Sequence, residues 1–85
     1  MIDQELTDKE REVLFLIGGG LSTKEAARKL SKSHRTVDVH SANIKRKLKL
    51  RNASMAVFMQ YAVRYRLHKE AELNALKPHV RSVQF

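Results

Sequence analysis

Residues 22–48 read STKEAARKLSKSHRTVDVHSANIKRKL, and this stretch decides the fold. It opens on Ser22-Thr23-Lys24-Glu25, a capping box: the serine hydroxyl accepts from the Glu25 amide while the glutamate carboxylate reaches back. A short helix follows with Ala26, Ala27 and Leu30 on one side, and the two alanines let another helix come close. Ser31-Lys32-Ser33 is a turn, with Ser33 as the N-cap of the next helix. That helix is predicted from about His34 to about Lys49. On a wheel of about 100° per residue, Val37, His40, Ser41, Ile44 and Leu48 face the core. The opposite side carries Arg35, Asp38, Val39, Ala42, Arg46 and Lys49, with Lys45 and Asn43 on its flanks. Two short helices joined by a tight turn, the second with an exposed basic face, describe a helix-turn-helix.

Upstream, Thr7-Asp8-Lys9-Glu10 is a second capping box, and acidic Asp8, Glu10 and Glu12 suit the positive end of a helix dipole. Val13, Leu14, Leu16 and Ile17 give this helix an apolar face, and Gly18-Gly19-Gly20 ends it. Downstream, Asn52 is the expected cap of a fourth helix, roughly Ala53 to Leu67. It is apolar on two sides: Ala56, Met59, Val63 and Leu67 form one stripe, and Met55, Phe58, Ala62 and Tyr65 another. One stripe covers the core. The other, taken as Met55, Phe58, Ala62 and Tyr65, is assigned to a dimer interface, because an exposed apolar stripe on so small a domain calls for a partner; the alternative cover is the last eighteen residues folded back over it. The chain therefore reads as all-α: a four-helix helix-turn-helix domain over residues 1–67, with a C-terminal tail at 68–85 that is partly helical or disordered. Within the tail, Lys69 to Leu76 has helical composition, Pro78 ends it, and Val80, Val83 and Phe85 alternate.

The chain has 85 residues, no cysteine and a net charge of +8. That length holds one domain. Absence of cysteine removes disulfides, thiolate catalysis and Cys-type zinc sites, and fits a reducing cytoplasm. The longest apolar runs are too short to cross a bilayer, and the first residues lack the basic start and apolar run of a signal peptide. The charge is concentrated: between Lys24 and Arg51 ten basic residues face only Glu25 and Asp38. The first twelve residues lean acidic. A basic middle on a neutral-to-acidic frame is the footprint of a nucleic-acid binder.

Several segments together resemble the LuxR-type (GerE-type) helix-turn-helix domain: LTDKEREVL at 6–14, GLSTKEAA at 20–27, and TVDVH at 36–40 followed by Asn43-Ile44 and Lys47-Leu48. The resemblance runs from about Leu6 to Leu67. It implies a bacterial, cytoplasmic, nucleoid-associated regulator of transcription that binds double-stranded DNA, usually as a dimer. The third helix enters the major groove and the fourth makes the dimer contact. Positions matching the family's base-reading residues are Asp38, Val39 and Ala42. Those matching its phosphate contacts are Thr23, Lys24, Ser33, Arg35, Thr36 and Lys47, and Asn43, Lys45 and Arg46 complete the expected DNA-binding set. Two departures stand out. Asp38 occupies a position where many members carry Lys or Arg; a carboxylate there accepts from cytosine N4 or orients a neighbouring Arg. The three-glycine run exceeds the family's usual single glycine and is expected to loosen the first connection. Most members attach the domain to a sensor; Met1 close before the motif and the C-terminal extension favour a stand-alone member.

Other chemistry finds little support. His34, His40, His68 and His79 have no metal-ligand arrangement, and no cofactor is called for. His40 reads as a core-edge histidine. The serines lack a His/Asp partner set, and the glycine run lacks the order of a phosphate loop, so no enzyme is expected. The rival reading is a protein-interaction module that pairs with another regulator of the same family through its fourth helix and blocks it.

Overall fold

The computed structural model describes residues 5–50 and 52–75. They form four helices in the order α1 (Asp8–Gly18), α2 (Thr23–Leu30), α3 (His34–Lys47) and α4 (Met55–Ala75), with no strand among the described residues. The fold is the expected all-α helix-turn-helix domain. The tail expectations at Leu76, Pro78, Val80, Val83 and Phe85 lie outside the described residues.

The helix starts follow from hydroxyl caps. Both capping boxes form: the Glu10 amide donates to Thr7 Oγ1 at 3.1 Å and the Thr7 amide to Glu10 Oε1 at 2.9 Å. At α2 the Glu25 amide donates to Ser22 Oγ at 3.1 Å and the Ser22 amide to Glu25 Oε1 at 2.8 Å. The Ser22 amide foremost, and the Ser22 side chain after it, hold the Glu25 carboxyl below the usual glutamate value. Ser33 caps α3 by accepting from the Thr36 amide at 3.1 Å.

The ends of α1, α2 and α3 share one device, the Schellman closure, built around Gly20 (φ +96°), Ser31 (φ +57°) and Lys49 (φ +61°). At Ser31 the Lys32 amide donates to the Ala27 carbonyl at 2.9 Å and the Ser31 amide to Arg28 at 3.2 Å. This closure fixes the turn between α2 and α3. The one at Lys49 ends α3 two residues earlier than its composition suggested.

Helix α4 differs from expectation at both ends. Its cap is Ser54, whose Oγ accepts from the Val57 amide at 3.3 Å, rather than Asn52. It continues past Leu67 to Ala75, because 68–75 holds good helix formers and (i, i+4) pairs such as Arg66–Glu70 and His68–Glu72, both at 3.1 Å.

The core lies where α1 meets the other three helices. Val13, Leu14, Val37 and Ile44 are its fully buried large side chains, with Phe58 and Ala62 covering it from α4. The glycine run tightens the α1–α4 contact rather than loosening it. A Cβ on Gly18 would run into the Ala62 carbonyl, so glycine there permits the close crossing. Gly19 leaves room for Arg66, which donates to the Phe15 carbonyl at 3.1 Å and lies 4.2 Å from the centroid of the Phe15 ring. Arg66 thus supplies the cation that the last turn of α1 lacks.

Candidate nucleic-acid interface

The outer side of α3 is built by the burial of its inner side. Val37, Ser41, Ile44 and Leu48 are in the core, and His40 is half-buried at its edge. The helix therefore turns Arg35, Asp38, Val39, Ala42 and Arg46 outward, all exposed, with Val39 at 52%. Asn43 and Lys45 are half-buried on the flanks: Asn43 Oδ1 accepts from Arg46 at 3.3 Å, and Lys45 Nζ lies 5.0 Å from the centroid of the Phe58 ring. The last turn carries Lys45, Arg46 and Lys47, and the first turn has no acid.

Helix α2 brings a second set of groups to the same side. His34 Nε2, at the first position of α3, lies 2.9 Å from Thr23 Oγ1, at the first position of α2. The two helix N-termini are thereby pinned together, and free amides at such ends attract anions. Lys24 is exposed beside Thr23, and Ser33 is exposed at the start of α3. The half-buried Thr36 shares a 2.8 Å hydroxyl–hydroxyl bond with Ser33. Thr23, Asp38, Ala42 and Lys45 also border one groove of about 640 Å³, floored by Ile17, Leu21, Phe58 and Met59.

Lys47 stands apart from the phosphate-contact set in which the sequence reading placed it. Its Nζ is 2.8 Å from Glu10 Oε1, and Glu10 is 3% exposed. A buried carboxylate holds an opposite charge strongly, so Lys47 ties the end of α3 to the start of α1 instead of reaching outward. Burial pushes the Glu10 carboxyl up, but the Lys47 bond, the Thr7 amide and the charges of Lys47 and His40 together bring it below the usual value.

The α4 assignment needs a larger correction. Phe58 is 2% exposed and Ala62 is 0% exposed, both within the core, and Tyr65 packs against it half-buried. Of Met55, Phe58, Ala62 and Tyr65, only Met55 is exposed. The other stripe faces outward, with exposed Ala56, Val63 and Leu67. The crossing at Gly18 goes with this choice: a Cβ there would meet the backbone carbonyl of Ala62, so it is the Ala62 side of α4 that lies against α1. His34 lies outside the DNA-binding set expected from the sequence, although its (i, i+4) spacing to Asp38 is a visible signal.

No group of three potential metal ligands exists among the described residues, and no described helix is long and apolar enough to cross a membrane. The chain is 44% identical over 61 residues to the transcriptional regulatory protein LnrK of Bacillus subtilis (strain 168), covering 72% of this chain and 27% of that one. It is 41% identical over 59 residues to the transcriptional regulatory protein FixJ of Rhizobium meliloti (strain 1021), covering 69% and 29%. It is 42% identical over 57 residues to the nitrate/nitrite response regulator protein NarP of Escherichia coli (strain K12), covering 65% and 26%. The chain thus spans less than a third of the length of each of these relatives. No solved structure matches it. The pattern of the bacterial regulatory proteins of the luxR family matches residues 4–60, and the chain belongs to that family, with the helix-turn-helix of DNA-binding transcription regulators.

Proposed function

We propose that this domain binds double-stranded DNA in a sequence-dependent way, with α3 in the major groove, as a homodimer joined through the outer face of α4. The observation that carries the reading is the convergence on one side of two pinned helix N-termini and the exposed, basic face of α3. A major groove admits one α-helix, and its base edges distinguish all four base pairs. Asp38, Val39 and Ala42 are the base-reading side chains: a carboxylate acceptor for cytosine N4 and two apolar groups for thymine methyls. Lys24, Arg35 and the hydroxyls of Thr23, Ser33 and Thr36 hold phosphates and set the register. Arg46, Lys45 and Asn43 extend the contact along the groove.

The dimer rests on the exposed apolar row of Val63 and Leu67, 38% and 60% exposed. A second copy is the simplest cover, since paired half-sites on DNA mirror a two-fold protein. The same row also supports the blocking of another regulator of the family.

Salt-dependent titration of duplex DNA separates these roles. Lys24→Ala and Arg35→Ala are each expected to weaken binding to all sequences alike and to reduce the log–log salt slope by about 0.9. If both variants bind like the parent at every salt concentration, the phosphate assignment is wrong. If they also keep full regulatory effect, the partner-blocking reading gains.

A further inference from the structure

We propose that His34 is a positioning residue for sequence readout, linking a phosphate-binding hydroxyl on α2 to the carboxylate by which α3 reads a base. The inference rests on the DNA-binding function proposed above. Its basis is the placement of one ring nitrogen: His34 Nε2 is 2.9 Å from Thr23 Oγ1 and 3.4 Å from Asp38 Oδ1.

The carboxylate decides which way the hydrogen bonds run. A lone pair on Nε2 facing Asp38 Oδ1 would be repelled, so Nε2 carries the proton and donates it to Thr23 Oγ1 at 2.9 Å, with the Asp38 oxygen in electrostatic contact at 3.4 Å. Thr23 Oγ1 accepts, and its own O–H is left to donate outward, the direction a phosphate oxygen needs. Asp38 keeps one oxygen beside the positive N–H edge of the ring, which favours one setting of its carboxyl and leaves Oδ2 for a base-edge amine. Without the histidine, Asp38 is an exposed carboxylate facing a polyanion with a free rotor. With it, the negative charge is partly compensated and aimed. Asp38 is the sole acid on α3, so this is the one outward position where approach to DNA needs such compensation.

The test measures fluorescence anisotropy of the chain on its preferred duplex and on duplexes carrying each other base at the position read by Asp38. The parent is expected to prefer cytosine by about tenfold. His34→Ala is expected to cut that preference to about twofold, with preferences at the positions read by Val39 and Ala42 unchanged and the domain still folded at the assay temperature. His34→Gln, whose amide nitrogen reaches the same place, is expected to restore it. His34→Ala in the Asp38→Ala background is expected to change the preference no further, because the histidine acts through the carboxylate. A loss spread evenly over all base positions, or failure of Gln to restore it, would overturn the inference while leaving the DNA-binding reading intact. A parent that shows no base preference anywhere would overturn both.

Discussion

At the residue scale, the pairing of Glu10 with Lys47 controls how α3 is held. Glu10 serves the α1 capping box and the 2.8 Å bond to Lys47 at once. Removing one partner of a buried pair leaves the other charge uncompensated, at about 3 kcal/mol or more for full burial. Lys47 is partly exposed, so Glu10→Gln is expected to cost roughly 2–3 kcal/mol at neutral pH, read as a lower midpoint in thermal or urea unfolding. The pH dependence has a definite sign. The folded-state value of Glu10 is depressed, so its contribution is complete above the unfolded-state glutamate value of about 4.3 and fades as pH falls through the lower folded value. Parent and variant are therefore expected to converge in stability on the acid side of that window. A constant gap down to strongly acid pH would contradict the assignment. Lys47→Met should likewise lower the unfolding midpoint without reducing the DNA salt slope, whereas a phosphate contact predicts the reverse. The capping half of this arrangement was legible, because Thr7 and Glu10 are three residues apart. The Lys47 half was not: it spans 37 residues and depends on how α3 crosses α1.

At the element scale, the local chemistry of helix ends was the most readable part of the chain. Three hydroxyl caps and two capping boxes stand where the Thr7, Ser22 and Ser33 motifs indicated, since each is settled within four residues. The turn at Ser31 was also legible, from Ser31-Lys32-Ser33, but the end of α3 closed by Lys49 was harder to see, because that residue is not a glycine. Helix α4 was least legible. Being apolar on two sides, it gave no internal reason to bury Phe58 and Ala62 rather than Val63 and Leu67. The reason lies on α1: Gly18 lets the Ala62 backbone come to where a Cβ would stand. Gly18→Ala is accordingly expected to destabilise by about 1–3 kcal/mol through overpacking, although alanine in an exposed helix position would normally stabilise. Calorimetry of the variant checks this, and an increase in melting temperature would contradict the close crossing.

At the scale of the whole molecule, the domain has two outward faces with different chemistry. One is basic and centres on the exposed side of α3; the other is the apolar row of α4. Leu67→Asp acts on the second alone. It is expected to halve the mass in sedimentation while leaving the helical content intact, and to weaken binding to a two-half-site duplex by about 100-fold through loss of avidity. Phe58→Asp, by contrast, places a charge in the core and is expected to unfold the domain. Equal loss of fold in both variants would contradict the separation of the two α4 faces. The basic face was legible in the clustering of charge between Lys24 and Arg51, while the pairing of the α2 and α3 N-termini through His34 required the three-dimensional arrangement.

Selection of bound duplexes from a random DNA pool, repeated across a salt series, tests the central claim most directly. Sequence-dependent recognition by a dimer predicts an enriched motif with two-fold symmetry, its half-sites about one helical turn apart, that persists as salt removes non-specific binding. Steep salt dependence with no enriched motif, or no binding at physiological salt, would contradict it.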